Sequence, residues 1–263
     1  MQKLTIVKIG GNVIDNAEAC SRFLSTFASL SGAKLLVHGG GKVATDLADK
    51  MGLVTQMVNG RRITDKPTLD IAIMVYAGLV NKSVVATLQA YRCNALGLTG
   101  ADAGCVISHK RPVLGIDYGF VGDIDHVDDS QISNFILQGL VPVFAPLTFD
   151  GSGILLNTNA DTMASALAVA LSTSFDVTLL YCFEKKGVLA DPSQDTSVIP
   201  FISQTDYVQL KEEGTVSKGM IPKMDNAFDA LRKGVAKVVI CHADDLELYE
   251  TADSFGTLLS LEV

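Results

Sequence analysis

Lys8 stands one residue before a glycine pair in the run Leu4-Thr5-Ile6-Val7-Lys8-Ile9-Gly10-Gly11, and Lys223 closes Gly219-Met220-Ile221-Pro222-Lys223 far along the chain. A lysine beside bare backbone amides suits a site that an anion enters. So does a lysine in a first helical turn, where the dipole repels it until an anion arrives. His38-Gly39-Gly40-Gly41-Lys42 repeats the strand–glycine–helix junction, and Asn157-Thr158-Asn159-Ala160-Asp161 opens an Ala-rich helix. Helix capping by Asn159 and dipole stabilisation by Asp161 explain two of those polar residues but not Asn157. Each feature alone has a plainer reading, because glycines make turns and lysines snorkel. Two glycine junctions at the ends of the first two strands are stronger, since open α/β sheets bind ligands at that edge.

Several chemistries fall away. Gly39-x-Gly41-x-x-Ala44 satisfies a dinucleotide fingerprint but follows the second strand, and basic Arg61-Arg62 stands where a ribose-binding acid is required. A Walker A loop fails at Val43 and Leu36. The four histidines are scattered, and the carboxylates from Asp117 to Asp129 lack calcium-loop spacing, so no resident metal site is expected. Cys20, Cys93, Cys105, Cys182 and Cys241 form no CxxC pair and read as reduced cytosolic thiols. A net charge of -8 without a basic block argues against nucleic acid or an anionic membrane as general partners. No signal-peptide core precedes Lys8, and the uncharged run Ser130–Phe149 is broken by Pro142 and Pro146, so a soluble cytoplasmic protein is expected.

The elements that must position these residues read as alternating strands and helices, which predicts a mostly parallel sheet covered by helices. At 263 residues with 48% hydrophobic content, one large α/β unit with two lobes is expected. Strands are read at Leu4–Ile9, Lys34–Val37, Val141–Ala145, Asp176–Tyr181 and Ala236–Cys241. Asp15 with Glu18 reads as a helix start, and residues 104–126 as hairpins. Pro67 opens a long helix from Asp65 to Tyr91, apolar on more than one side, which asks for either a second subunit or a large internal core to cover it. Asn159–Ser174 and Pro222–Lys233 are further helices, with a lobe boundary between 1–174 and 175–263.

At Lys8-Ile9-Gly10-Gly11, His38-Gly39-Gly40-Gly41, Asn59-Gly60-Arg61-Arg62-Ile63-Thr64, Leu156–Asp161 and Gly219–Lys223 the sequence resembles the amino-acid kinase family, in family order and over essentially the whole chain. The resemblance implies a three-layer αβα sandwich around a mainly parallel eight-stranded sheet. It also implies transfer of the γ-phosphoryl group of ATP, with Mg2+, to the side-chain carboxylate of an N-acylated glutamate. A carboxylate with an ordinary pKa of about 4.3 is already a nucleophile, so no general base is needed. Positioning and charge neutralisation are what remain to be supplied.

By this resemblance Lys8 and Lys223 bind the transferring phosphoryl, Asp161 holds both ammonium groups, and Gly10 and Gly11 donate amides to it. Gly40, Gly41, Arg62 and Asn157 take the acyl-glutamate, with Arg62 on its α-carboxylate. Gly187, Ser217 and Gly219 face the nucleotide. Cys182–Gly187 departs from the family's usual turn, being longer and lacking its aspartate. A homodimer through the Asp65–Tyr91 helix, without arginine inhibition, is expected from a first strand that begins almost at Met1. Other readings are an N-succinyl-glutamate kinase, a glutamate 5-kinase, aspartokinase or uridylate kinase, and a nucleotide sensor without turnover. Acetyl and succinyl groups differ by a methylene and a carboxylate, and the sequence leaves that choice open.

Overall fold

A computed structural model of the chain describes residues 1–58, 61–191, 193–216, 219–252 and 254–262. Runs rich in Val, Ile and Leu pair into one eight-stranded sheet, in the order Phe201–Ser203, Thr257–Ser260, Lys237–His242, Phe175–Phe183, Gln2–Ile9, Ala33–His38, Val141–Phe144, Ala95–Leu98. Every neighbouring pair is parallel except Lys237–His242 with Thr257–Ser260. Gln2–Ile9 and Phe175–Phe183 form the central seam, with Lys8 opposite Tyr181. Strands from the first part of the chain lie on one side of that seam and later ones on the other, within a continuous sheet.

Successive side chains on a strand face opposite ways, so one strand feeds two cores. Leu4 and Ile6 join Tyr181 and the helices Asp129–Leu137, Ala160–Leu171, Gln204–Glu212 and Ile221–Arg232. Val7 and Ile9 join Cys182 and the helices Ala17–Ser29, Gly41–Lys50 and Lys66–Ala90. The result is a mainly parallel sheet covered by helices, as the strand–helix alternation predicts, in the three-layer αβα form that the resemblance implied. A smaller sheet of Leu155–Asn157, Leu147–Phe149, Val106–Lys110 and Gly122–Val127 contains the expected hairpin, bulged between Ile107 and Ser108.

Two local readings shift. Gly11–Ile14 makes its own helical turn, so the following helix is capped by Asn16, whose side chain accepts from Ala19 N, rather than by Asp15. The long helix begins as predicted, with Asp65 capping Thr68 N and Pro67 in the first turn, but widens to π-helical pitch over Ile73–Val80. By length and composition Lys66–Ala90 could cross a bilayer. Here Ile71, Val75, Val84 and Leu88 are buried against the sheet, while Met74 and Leu79 stay exposed.

Candidate active site

Parity on the first strand decides where Lys8 points. Positions 4, 6 and 8 face the core covered by the Ala160–Leu171 and Ile221–Arg232 helices, and the first turns of those helices carry Asp161 and Lys223. Lys8 Nζ lies 2.7 Å from Asp161 Oδ1, and Lys223 Nζ lies 2.5 Å from Oδ2. The three predicted charged residues therefore meet, although they are 153 and 62 positions apart along the chain (161 − 8 and 223 − 161). Burial alone would raise the Asp161 carboxyl, but Lys8, Lys223 and their hydrogen bonds hold it down at about 2. Burial drives Lys8 below its ordinary value, against the pull of Asp161. Asn159 caps the helix by accepting from Asp161 N at 2.8 Å and Thr162 N at 3.2 Å. Tyr181, next to Lys8 in the sheet, donates its hydroxyl to the Asp161 carbonyl at 3.2 Å. Sequence reasoning missed Tyr181, which reads there only as a strand residue.

The two glycine loops abut. A Cβ on Gly39 would lie 3.6 Å from Gly11 N, and one on Gly11 would lie 4.0 Å from Gly40 N. Gly40 adopts φ +150°, and a Cβ there would come within 3.1 Å of Tyr76 and 3.3 Å of Val80, so only glycine fits without movement. Beneath the loop, His38 is fully buried. Its Nδ1 lies 2.7 Å from the Gly39 carbonyl, and its Nε2 lies 3.0 Å from Asn81 Nδ2, which also donates to Val143 O at 2.9 Å. These partners assign a neutral ring with the proton on Nδ1. Burial agrees, lowering the imidazole to about 4 against the opposing Gly39 bond. The sequence offered His38 as part of a glycine motif but not Asn81 as its partner.

A cavity of about 330 Å3 runs from the second glycine loop to the start of the Ala160–Leu171 helix, lined by Gly40, Gly41, Arg62 and Asn157 among others. Arg62 Nη2 donates to Gly41 O and Thr45 Oγ1, both at 2.8 Å, fixing the guanidinium beside the loop. Asn157 donates to Thr64 Oγ1 at 3.0 Å. Arg61, Arg111 and Asp123 also line the cavity and were not singled out from sequence.

One predicted residue falls differently, and the predicted glycines Gly11, Gly187 and Gly219 lie outside that cavity. The Gly10 N–H is bonded to Cys182 O at 2.8 Å, so it is not free to donate to a phosphoryl group as the resemblance implied. Gly11 opens the adjacent helical turn. Gly187 is buried, and a Cβ there would meet Thr257 Oγ1 at 2.6 Å, which gives this glycine a packing reason outside the cavity. Gly219 is exposed, in the turn before Ile221–Arg232, with open space around it. Ser217 lies outside the described residues, as do Asn59, Gly60 and Lys218. Among the described residues no group of three or more His, Cys, Asp or Glu side chains could hold a metal ion.

A sequence profile of the amino acid kinase family matches residues 3–242. The chain is 56% identical to a protein named acetylglutamate kinase from Cytophaga hutchinsonii, over 98% of this chain and 99% of that one. It is 53% identical to a protein of the same name from Bacteroides thetaiotaomicron, over 94% and 96%. In structure it resembles carbamate kinase from Giardia lamblia bound to AMP-PNP, with a TM-score of 0.74 at 12% identity and 99% coverage of both chains. At that identity the likeness speaks for the fold alone.

Proposed function

The chain belongs to the amino acid kinase family, and from that membership and the site geometry we propose that it transfers the γ-phosphoryl group of ATP to the side-chain carboxylate of N-acetyl-L-glutamate or a close N-acyl analogue, a step of arginine biosynthesis. The observation that carries the reading is the convergence of Lys8 and Lys223 on Asp161 beside two abutting glycine loops.

Phosphoryl transfer spreads negative charge over the migrating group, so its catalysis is mainly positioning and electrostatic stabilisation. Each ammonium carries three N–H donors. Asp161 engages one on each lysine, which leaves the others for phosphate oxygens approached from two elements. Asp161 is ionised at any physiological pH, so it anchors both cations without giving up a proton. The Gly11 and Gly41 N–H groups open helical turns and supply backbone donors nearby. Arg62 offers its remaining N–H groups to the acceptor's α-carboxylate as a fork, and Asn157 lies where the amide end would rest. Mg2+ would come with ATP and would need no dedicated protein cage.

A homodimer is part of the proposal, with a second copy covering Met74 and Leu79 on the Lys66–Ala90 helix. A coupled assay of ADP release, dependent on both ATP and N-acetyl-L-glutamate, tests the reaction. No release above the ATP-only rate refutes it.

A further inference from the structure

A polar relay that the mechanism above does not use holds the second glycine loop from beneath. It starts at Val143 O, on the strand next to Ala33–His38, which accepts from Asn81 Nδ2 at 2.9 Å. The same Nδ2 lies 3.0 Å from His38 Nε2. Lys82 Nζ donates to Asn81 Oδ1 at 3.1 Å, which fixes the amide in that orientation. Both Asn81 amide hydrogens are then spent, so His38 Nε2 accepts and the ring proton stands on Nδ1. That proton is donated to Gly39 O, with Nδ1 at 2.7 Å. Asn81 is 1% exposed and His38 0%, and neither lines the cavity, whereas Gly39, Gly40 and Gly41 do.

A relay this deep is a costly way to fill a core. Two buried polar side chains need every partner in place, while a leucine at position 38 would pack there without them. What the pair adds is direction. The Gly39–Gly40 peptide is trans, so its carbonyl and its N–H point to opposite sides. With Gly39 O drawn down to His38, the Gly40 N–H is turned away from the ring. Gly11 lies beside that nitrogen, since a Cβ on Gly11 would be 4.0 Å from it. Among the described residues no backbone acceptor meets this N–H. The helix that carries Asn81 also seats the loop from the side. Tyr76 and Val80, on its π-helical stretch, stand 3.1 and 3.3 Å from where a Gly40 Cβ would be, and π-helical turns recur at functional sites.

We propose that Asn81 and His38 are positioning residues for the transfer step. They set the Gly39–Gly40 peptide so that the Gly40 N–H meets the oxygen on which charge develops as the acceptor carboxylate attacks the phosphoryl group. The inference rests on the kinase reading above and adds to it the means by which one backbone donor is preorganised.

Steady-state ADP release and melting temperatures of Asn81→Ala, His38→Leu, His38→Asn and Leu88→Ala test it. Asn81→Ala frees the ring to take the other tautomer, and His38→Leu removes the donor outright. Each should lose roughly 10- to 100-fold in kcat, with KM for ATP and acceptor within about threefold, the pattern of an interaction made only in the transition state. His38→Asn returns a donor close to the place of Nδ1 and should recover part of the loss. Leu88→Ala, fully buried on the same helix, should lower the melting temperature by opening a cavity but leave kcat unchanged. Wild-type kcat in Asn81→Ala, a loss confined to KM, an equal kcat loss in Leu88→Ala, or a His38→Asn enzyme no better than His38→Leu overturns the inference and leaves the kinase reading standing. Long-range proton–nitrogen correlation spectra of the wild-type imidazoles give a readout that depends on no variant's folding. His38 should carry its proton on Nδ1, and a ring protonated on Nε2 overturns the inference. Absence of acceptor-dependent ADP release in the wild type overturns the kinase reading, and the inference with it.

Discussion

Replacing Asp161 with Asn removes one charge and strands two. The carboxylate side chain is only 10% exposed and holds ammonium groups at 2.7 and 2.5 Å. Breaking a buried ion pair by deleting one partner costs about 3–5 kcal/mol. The Lys223 side chain is 23% exposed and can rehydrate, so the lower end, about 3 kcal/mol, applies. For a chain of this size that lowers the melting temperature by roughly 6–12 °C. Activity should fall further than stability suggests, because neither lysine is then held in place; loss of one preorganised charge-stabilising group typically costs roughly 10²–10³ in turnover. A pH signature separates this from general loosening. Asp161 is the main group raising the Lys8 pKa against burial, so in Asp161→Asn the Lys8 ammonium should titrate lower, and residual activity should decline at lower pH than in wild type. Differential scanning calorimetry with ADP-release kinetics from pH 6 to 10 measures both effects. An Asp161→Asn enzyme within threefold of wild-type turnover, melting at the wild-type temperature, would refute the shared-anchor reasoning.

Arg62→Ala should raise the apparent KM for the acyl-glutamate by about 10- to 100-fold with a smaller change in kcat; an unchanged KM removes Arg62 from the acceptor site. Acid stability should report His38. Its folded value near 4 lies below its ordinary 6.5, so the unfolded chain binds the extra proton between those limits and stability rises with pH across them, by up to about 3 kcal/mol. Asp161, at about 2 against an ordinary 3.8, adds stability that is complete above about pH 4 and fades only as pH falls toward 2. Urea denaturation of His38→Gln should show a flatter dependence from pH 7 to 4; an unaltered slope contradicts the assignment. Light scattering with and without arginine should give a dimer in both cases, and a stable hexamer would refute that part of the proposal.

Much of the site was legible because each key residue sits at an element boundary marked by its neighbours. Lys8 precedes Gly10-Gly11, Asp161 follows the cap Asn159, and Lys223 follows Pro222. Convergence was not legible from local pattern, since it depends on strand parity and on which helices cover which face. The same limit hid Tyr181, Asn81 and the Arg61–Arg111–Asp123 group, whose partners are brought together by sheet register and hairpin docking. Gly10 looked like a phosphate donor because its amide requirement is set by Cys182 O, 172 positions later (182 − 10). The displaced cap at Asn16 shows a subtler limit: Asp15 satisfies the pattern, but the preceding Gly11–Ile14 turn shifts the boundary by one residue.

Rapid-quench measurement of phosphoryl transfer in Lys8→Ala and Lys223→Ala, at saturating ATP and acceptor and with folding checked by circular dichroism, tests the centre of the account. Each folded variant should lose roughly 10²–10³ or more of the wild-type transfer rate. Transfer at the wild-type rate in either one would contradict the role given to that lysine.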